Sequence, residues 1–285
     1  MVLLIIIVAF ILPTSAVAAS DIVHGEYLFK AAGCGNCHTD PGAKGKNRRP
    51  KGQALAGGRP LKTPFGTFYT PNITPDPLAG IGAWSFKEFR RAMLRGIAPN
   101  NTPYYPVFPY TSYTGMSEND LTDLWAYIKA QEPSLRQNRE HDLEFPFNVR
   151  SLMHGWRLLF FAEGATSIRN ESQSDLWNRG AYLVRVLAHC GECHTPRNVM
   201  GAMDMSRELS GNPIGPGGNI PGLGPSKTNG IGDWSNADLV EYLTSGMTPE
   251  GDFAGGKMAE VIDNSTAIMS DYDRNAIAAF LKSLQ

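Results

Sequence analysis

The pattern Cys-x-x-Cys-His occurs twice in this 285-residue chain, as Cys34-Gly35-Asn36-Cys37-His38 and as Cys190-Gly191-Glu192-Cys193-His194, and the two copies use all four cysteines. Three chemistries need cysteines so spaced: a redox dithiol, one metal site shared by the copies, or two points of covalent attachment. The flanks of the motif repeat as well. Gly25 and Tyr27 in "GEYLFKAAGC" match Gly180 and Tyr182 in "GAYLVRVLAHC", and "GIGAWSFKEFRRAMLRGIAP" (80–99) matches "GIGDWSNADLVEYLTSGMTP" (230–249) at an offset of 150. The chain is an internal duplication, with each motif inside its own complete repeat.

A thioredoxin-like dithiol needs a βαβ context, which is not visible, and gives the His of both copies no role. A single zinc site suits the ligand types but not two separate, complete repeats. Attachment of c-type haem uses every part: the two thiols add to the haem vinyl groups and the adjacent His reaches the iron. The spacing is tight because both sulfurs must meet one porphyrin edge while the ring nitrogen meets its centre. Cys34, Cys37 and His38 are expected to hold one haem c, and Cys190, Cys193 and His194 a second.

Residues 1–20, "MVLLIIIVAFILPTSAVAAS", carry an apolar run from Val2 to Leu12 followed by Ala16-Val17-Ala18. They read as a signal peptide over 1–19 with an A-x-A cleavage site. The run is shorter than a spanning helix needs; with no basic residues before it, an uncleaved N-terminal anchor is the alternative. A periplasmic location follows, where free thiols normally end as disulfides and two pairs spaced by two residues would make a poor framework. The net charge of −1 argues against a nucleic-acid partner.

The repeats read as an all-α chain of short helices among long loops, since 30 Gly and 20 Pro imply much turn-rich backbone. Tyr27, Ala31 and Cys34 share one helical face, so each motif is expected to end an amphipathic helix. Ser85 with Glu88 and Ser235 with Asp238 are N-cap signals, and Gly96 and Gly246 close those helices. Ser117 with Asp120 and Ser270 with Asp273 open the last helix of each half, where Leu121, Leu124, Trp125 and Ile128, and then Ile277, Phe280 and Leu281, form apolar stripes. The expected division is a first domain over 20–131, a connector over 132–172 and a second domain over 173–285. "FPFNVRSLMHGWRLLFF" makes the connector too apolar for a free linker, so it is expected to pack across both domains.

A haem that only carries electrons needs a second axial ligand, Met or His, and Met raises the potential. Met93 aligns with Leu243 and Met247 with Ile97, which marks both as packing residues. Met116 remains for the first half. In the second half Met269, the repeat mate of Met116, competes with Met258 in "FAGGKMAEV", and repeat symmetry alone favours Met269. His24 and His189 are expected to pack or bond locally; His141 and His154 fall in the connector.

The stretches "TPFGTFYTPNITPD", "GIGAWSFKEFRRAMLRGI", "YYPVFPYTSYTGMSENDL", "GWRLLFF", "WNRGAYLVRVLAHCGECHTPRN" and "GGKMAEVI" resemble the c-type cytochrome subunits of bacterial periplasmic dehydrogenases, including those of quinoprotein alcohol dehydrogenases and of molybdenum aldehyde or isoquinoline-type oxidoreductases. The resemblance covers nearly all of the chain after residue 20. It implies two tandem class I cytochrome c domains, each built around a covalently bound haem, that pass electrons from a dehydrogenase to the respiratory chain. It also implies Met258 as the second-half ligand, because relatives commonly carry Leu where this chain has Met269. Some relatives carry Met in "YPAMPY", where this chain has Phe108; those without it resemble this chain at "YTGM", which keeps Met116. Alcohol-dehydrogenase subunits of this kind usually carry three haems and a C-terminal membrane-binding segment. The two motifs here therefore shift the expectation to two-haem members.

The expected function is a dihaem electron carrier, with a periplasmic dehydrogenase as donor and a downstream cytochrome or oxidase as acceptor. Membrane association is expected only through an uncleaved N-terminus or a partner. The alternative is a haem enzyme, a dihaem peroxidase or thiosulfate-oxidising cytochrome with one open or unusual axial position; a Met in each half favours the carrier. The basic run "AKGKNRRPKG" (43–52) reads as a solvated loop or a steering patch for an acidic partner.

Overall fold

The computed structural model describes residues 20–40, 54–166, 169–215, 218–228 and 230–284. The expected signal peptide, 1–19, and the basic run, 43–52, lie outside the described residues. Among the described residues no helix is long and apolar enough to cross a membrane.

The first half contains α1 (Ile22–Ala31), α2 (Cys34–His38), the strands β1 (Pro60–Thr63) and β2 (Gly66–Tyr69), then α3 (Phe86–Arg95), α4 (Tyr110–Tyr113) and α5 (Glu118–Lys129). After β3 (Asp142–Leu143) and α6 (Leu152–Phe160), the second half contains α7 (Asp175–Tyr182), α8 (Gly191–His194), β4 (Asn212–Gly215), β5 (Gly218–Ile220), α9 (Asn236–Ser245), α10 (Gly256–Asn264) and α11 (Asp271–Lys282). An all-α chain is thus only part of the outcome: β1, β2 and β3 form one small antiparallel sheet and β4 and β5 another. These strands lie in the Gly/Pro-rich loops between helices, where short polar runs give little periodicity to read.

The capping signals operate as expected. Ser85 and Glu88, and Ser235 and Asp238, form reciprocal capping boxes, and Gly96 and Gly246 end α3 and α9 in the left-handed region at φ 60° and 81°. Ser117 and Ser270 cap α5 and α11 by accepting from the Asp120 and Asp273 amides. In both halves the first helix packs on the last, α1 on α5 and α7 on α11. The repeated glycines sit at these crossings. A Cβ on Gly25 would stand 2.1 Å from the Asp123 carbonyl oxygen, and one on Gly180 2.0 Å from that of Ala276, so only glycine lets the backbones touch.

Cys34 does not extend the face of α1, as the spacing had implied. The chain breaks at Gly33 (φ 63°), and α2 starts anew at Cys34. The second half reaches its motif differently. Seven positions separate Tyr27 from Cys34 but eight separate Tyr182 from Cys190. The extra residue is absorbed as a π-helical turn over Leu183–Leu187, where the Ala188 amide donates to the Leu183 carbonyl at 2.8 Å.

One apolar cluster runs through both halves, with Leu28, Leu121 and Leu124 continuous with Leu183, Leu187, Ile277 and Phe280. The connector segment lies along the first half, where Asn72 donates to the Ser134 and Arg136 carbonyls and Tyr105 to that of Phe147. It reaches the second half through buried Trp156, whose indole donates to the Met200 carbonyl at 2.8 Å.

Candidate haem sites

The two motifs are held in matching frames. The His38 Nδ1 donates to the Pro71 carbonyl at 2.8 Å, and the His194 Nδ1 to the Pro221 carbonyl at 2.8 Å. A carbonyl can only accept, so each Nδ1 carries its proton and each Nε2 keeps a free lone pair, as a metal-ligating imidazole requires. Burial pushes both imidazoles below the usual histidine range, with the carbonyl bond opposing in part, which favours the neutral, ligating form. The His38 carbonyl accepts from Gly57 N and the His194 carbonyl from Gly211 N, both at 2.8 Å.

The next residue repeats the arrangement. Thr39 and Thr195 are buried, and their hydroxyls accept from the amides of Leu55 and Leu209 at 3.2 and 3.0 Å. Those two leucines both adopt left-handed backbone, at φ 61° and 58°. For a branched residue such a conformation persists only where its surroundings impose it. Identical strain at two sites 154 residues apart marks a loop shaped to hold the motif.

The cysteines fit attachment better than thiol redox chemistry. None is disulfide-paired. Burial pushes the Cys34 and Cys190 thiols up to about 12, so neither is an activated thiolate. Among the described residues no group of three or more His, Cys, Asp or Glu side chains is placed to hold a metal ion, which speaks against one zinc site shared by the motifs. The donor set of each motif, two thiols beside an imidazole whose Nε2 keeps its lone pair, fits one haem c.

The methionines fall into two structural classes. Met116 and Met269 both immediately precede a capping serine and are core residues, 6% and 3% exposed. Met258 is half-buried on α10, one helical turn before Ile262, which is buried, while Glu260 points to the opposite side toward Arg59. Its repeat mate is set by backbone register. The Tyr104 amide donates to the Gly96 carbonyl as the Ala254 amide does to Gly246, which pairs Phe108 with Met258. The first half therefore has a phenyl ring at the Met258 position, and of its two buried methionines, Met93 and Met116, Met116 is the nearer in sequence to that segment.

Sequence reasoning missed two arginines. The Arg59 guanidinium donates to the Asn36 carbonyl and pairs with Glu260, and Arg197 donates to the Glu192 carbonyl at 3.0 Å and pairs with its carboxylate. Each thus sits against the backbone between the two cysteines of a motif. Arg197 lies close by in "HTPRN", but nothing in the sequence ties Arg59 to Asn36. These contacts also show that each motif faces the other half: α10 leans on α2, while Thr111 and Ser112 of the α4 segment donate to Glu192 of the second motif at 3.1 and 2.9 Å. The two remaining flanking histidines do not bond locally. His24 pairs with Asp123 on α5, and His189 reaches the Ala32 carbonyl, 157 positions away.

The chain is similar to known c-type cytochromes. A family model for cytochrome c matches residues 22–132. A dihaem c-type cytochrome of Cereibacter sphaeroides is 48% identical over 259 residues, covering 90% of this chain and 84% of the relative. The cytochrome subunit of fructose dehydrogenase from Gluconobacter japonicus is 38% identical over 95% of this chain and 55% of its own length. The cytochrome c subunit of gluconate 2-dehydrogenase from Pantoea cypripedii is 37% identical over 92% of this chain and 59% of its own length.

Proposed function

This chain belongs to the dihaem c-type cytochromes, and from that premise we propose that it relays electrons between two haem c groups, one in each half, on the way from a periplasmic dehydrogenase to a downstream cytochrome or oxidase. It is an electron-transfer protein rather than an enzyme, and its cofactors are two covalently bound haem c groups. When bound, these supply one-electron ferrous/ferric chemistry. Everything else is the work of the chain.

Cys34 and Cys37 attach the first haem and Cys190 and Cys193 the second. His38 and His194 would ligate each iron through Nε2, their rings oriented by the Pro71 and Pro221 carbonyls. Met116 and Met258 would supply the second ligand to each haem iron. The matched location of Met258 and Phe108 supports Met258 over Met269, and the absence of a thioether at Phe108 supports Met116. Filling both axial positions would leave no site for a small ligand, which suits a carrier rather than a peroxidase. Each half, 20–131 and 173–285, is read as one cytochrome c domain, joined by the connector 132–172; the duplicated frame around His38 and His194 supports this.

Names of the relatives as dehydrogenase cytochrome subunits support a dehydrogenase as donor, and the signal-like residues 1–19 support export to the periplasm. The observation that carries the proposal is the pair of 2.8 Å Nδ1 bonds, which leaves the same nitrogen free at both motifs. The test is spectroscopic. The purified protein is expected to show two haems per chain by pyridine haemochrome assay, and its ferric form the Met-to-iron charge-transfer band at the red end of the visible spectrum. Ready binding of carbon monoxide to the ferrous protein would overturn it.

A further inference from the structure

We infer that His189 is the positioning residue that joins the two haem-attachment loops into one electron path, its imidazole spanning from the residue beside Cys190 to the carbonyl two residues before Cys34. This deepens the relay reading and rests on it. The His189 Nε2 stands 3.3 Å from the Ala32 carbonyl oxygen, and since a carbonyl only accepts, Nε2 is the protonated nitrogen. The resulting path runs from Cys190 through one residue to the ring, across one hydrogen bond, and through Gly33 to Cys34.

Three further observations select this residue. Gly33 and His189 occupy the same place in the two repeats, each directly before the first cysteine and each left-handed, at φ 63° and 41°. Glycine accepts that conformation freely, whereas histidine is strained there, so the second repeat keeps a costly side chain where the first has none. The π-turn that absorbs the extra residue lies immediately before it, and such turns collect at functional positions. The ring is also held in place: Tyr113 packs edge-on against it with centroids 5.4 Å apart, and the Tyr113 hydroxyl reaches the same Ala32 carbonyl at 3.5 Å. The other links between the halves in this region each reach only one motif: Arg59 with Glu260 at the first and Ser112 with Glu192 at the second, while the Ser265 hydroxyl that donates to the Ala31 carbonyl lies far in sequence from the second motif.

Transfer between haems held at the two motifs would oxidise one iron from ferrous to ferric and reduce the other from ferric to ferrous. No proton moves and no bond forms or breaks. The imidazole shortens the through-space gap and keeps the two loops in register.

The first repeat supplies the test variant. His189→Gly restores the residue found at Gly33, relaxes the backbone and removes only the bridge. In the full-length holoprotein the electron redistribution that follows pulse-radiolytic reduction is followed in the visible band and by freeze-quench electron paramagnetic resonance. The variant is expected to retain two haems per chain and both midpoint potentials while redistribution slows several-fold. An unchanged rate with both haems present overturns the inference. If His189→Gly loses a haem, His189→Asn, which tolerates left-handed backbone but is too short to reach Ala32, decides in the same way. Fewer than two haems in the unmodified protein would instead defeat the relay reading on which the inference stands.

Discussion

The Tyr27 hydroxyl donates a 2.6 Å hydrogen bond to the Asp273 carboxylate, joining α1 of the first half to α11 of the second. Its repeat mate Tyr182, on α7, donates in the reverse direction to Asp120 on α5. Both acids stand at the third position of a capped helix, where Glu88 and Asp238 return to their own caps; Asp120 and Asp273 are committed across the interface instead. The halves are therefore related by an approximate two-fold, and the same tyrosine does the same work twice.

The two bonds are not equivalent in strength. Asp273 also receives both nitrogens of the Arg179 fork, at 2.8 and 2.7 Å, whereas Tyr182 is the hydrogen-bond partner found for the Asp120 side chain among the described residues. A hydrogen bond to a charged group contributes about 1.5–3 kcal/mol, and more is lost when a buried acceptor keeps no other donor. Tyr27→Phe is expected to cost about 1.5 kcal/mol and Tyr182→Phe about 3 kcal/mol. Denaturant unfolding of the two holoproteins measures the difference, and equal costs would contradict this account.

Acid should loosen the same interface. Burial alone would raise the Asp273 carboxyl, but the Arg179 fork and the Tyr27 hydroxyl outweigh it and hold the group below the usual carboxylate range. A folded-state value below the unfolded one, near about 4, gives stability that is fully present above that pH and lost as pH falls through the folded value. Asp273→Asn keeps the shape without the charge. It is expected to be less stable at neutral pH and to show a shallower loss of stability below about pH 4, read from urea midpoints across pH.

What the sequence revealed was largely local. The motif, the serine caps and the closing glycines depend on residues within four positions of one another, so Ser85 with Glu88 and Gly96 with Gly246 could be read directly. What escaped it depends on pairs far apart. Nothing near Tyr27 names Asp273, and nothing near Arg59 names Asn36. The extra residue before Cys190 was visible as a mismatch between the repeats, yet only the backbone shows it becoming a π-turn that carries His189 to Ala32. The strands escaped because four-residue runs such as Pro60–Thr63 owe their form to the hairpin partner rather than to their own pattern.

The methionine assignment can be tested by substitution. Leucine matches methionine in volume and packs without ligating. Met258→Leu is expected to remove about half of the charge-transfer absorbance and to lower one of the two midpoint potentials, because a thioether ligand raises the potential. Met269→Leu is expected to leave the band intact and cost less than about 1.5 kcal/mol, as a conservative swap in a core. The reverse pattern would transfer the ligand role to Met269.

The orientation of the His38 imidazole depends on Gly57. Its φ is +68°, and a Cβ added there would stand 2.4 Å from the Pro71 carbonyl carbon and 2.5 Å from the Thr70 carbonyl oxygen. Both neighbours are backbone, so Gly57→Ala must displace the segment after β2 that carries the His38 acceptor, besides the left-handed penalty of about 1–2 kcal/mol. An imidazole that loses its Nδ1 acceptor becomes a weaker donor to the iron and stabilises the ferric state less. The first-half midpoint potential is therefore expected to rise while the second stays fixed. Gly211→Ala, whose Cβ would lie 3.1 Å from the Pro221 carbonyl carbon, should move the second-half potential by a smaller amount. Spectroelectrochemical titration of the two variants separates these effects, and a shift of both potentials in either one would show that the carbonyl frames do not act independently.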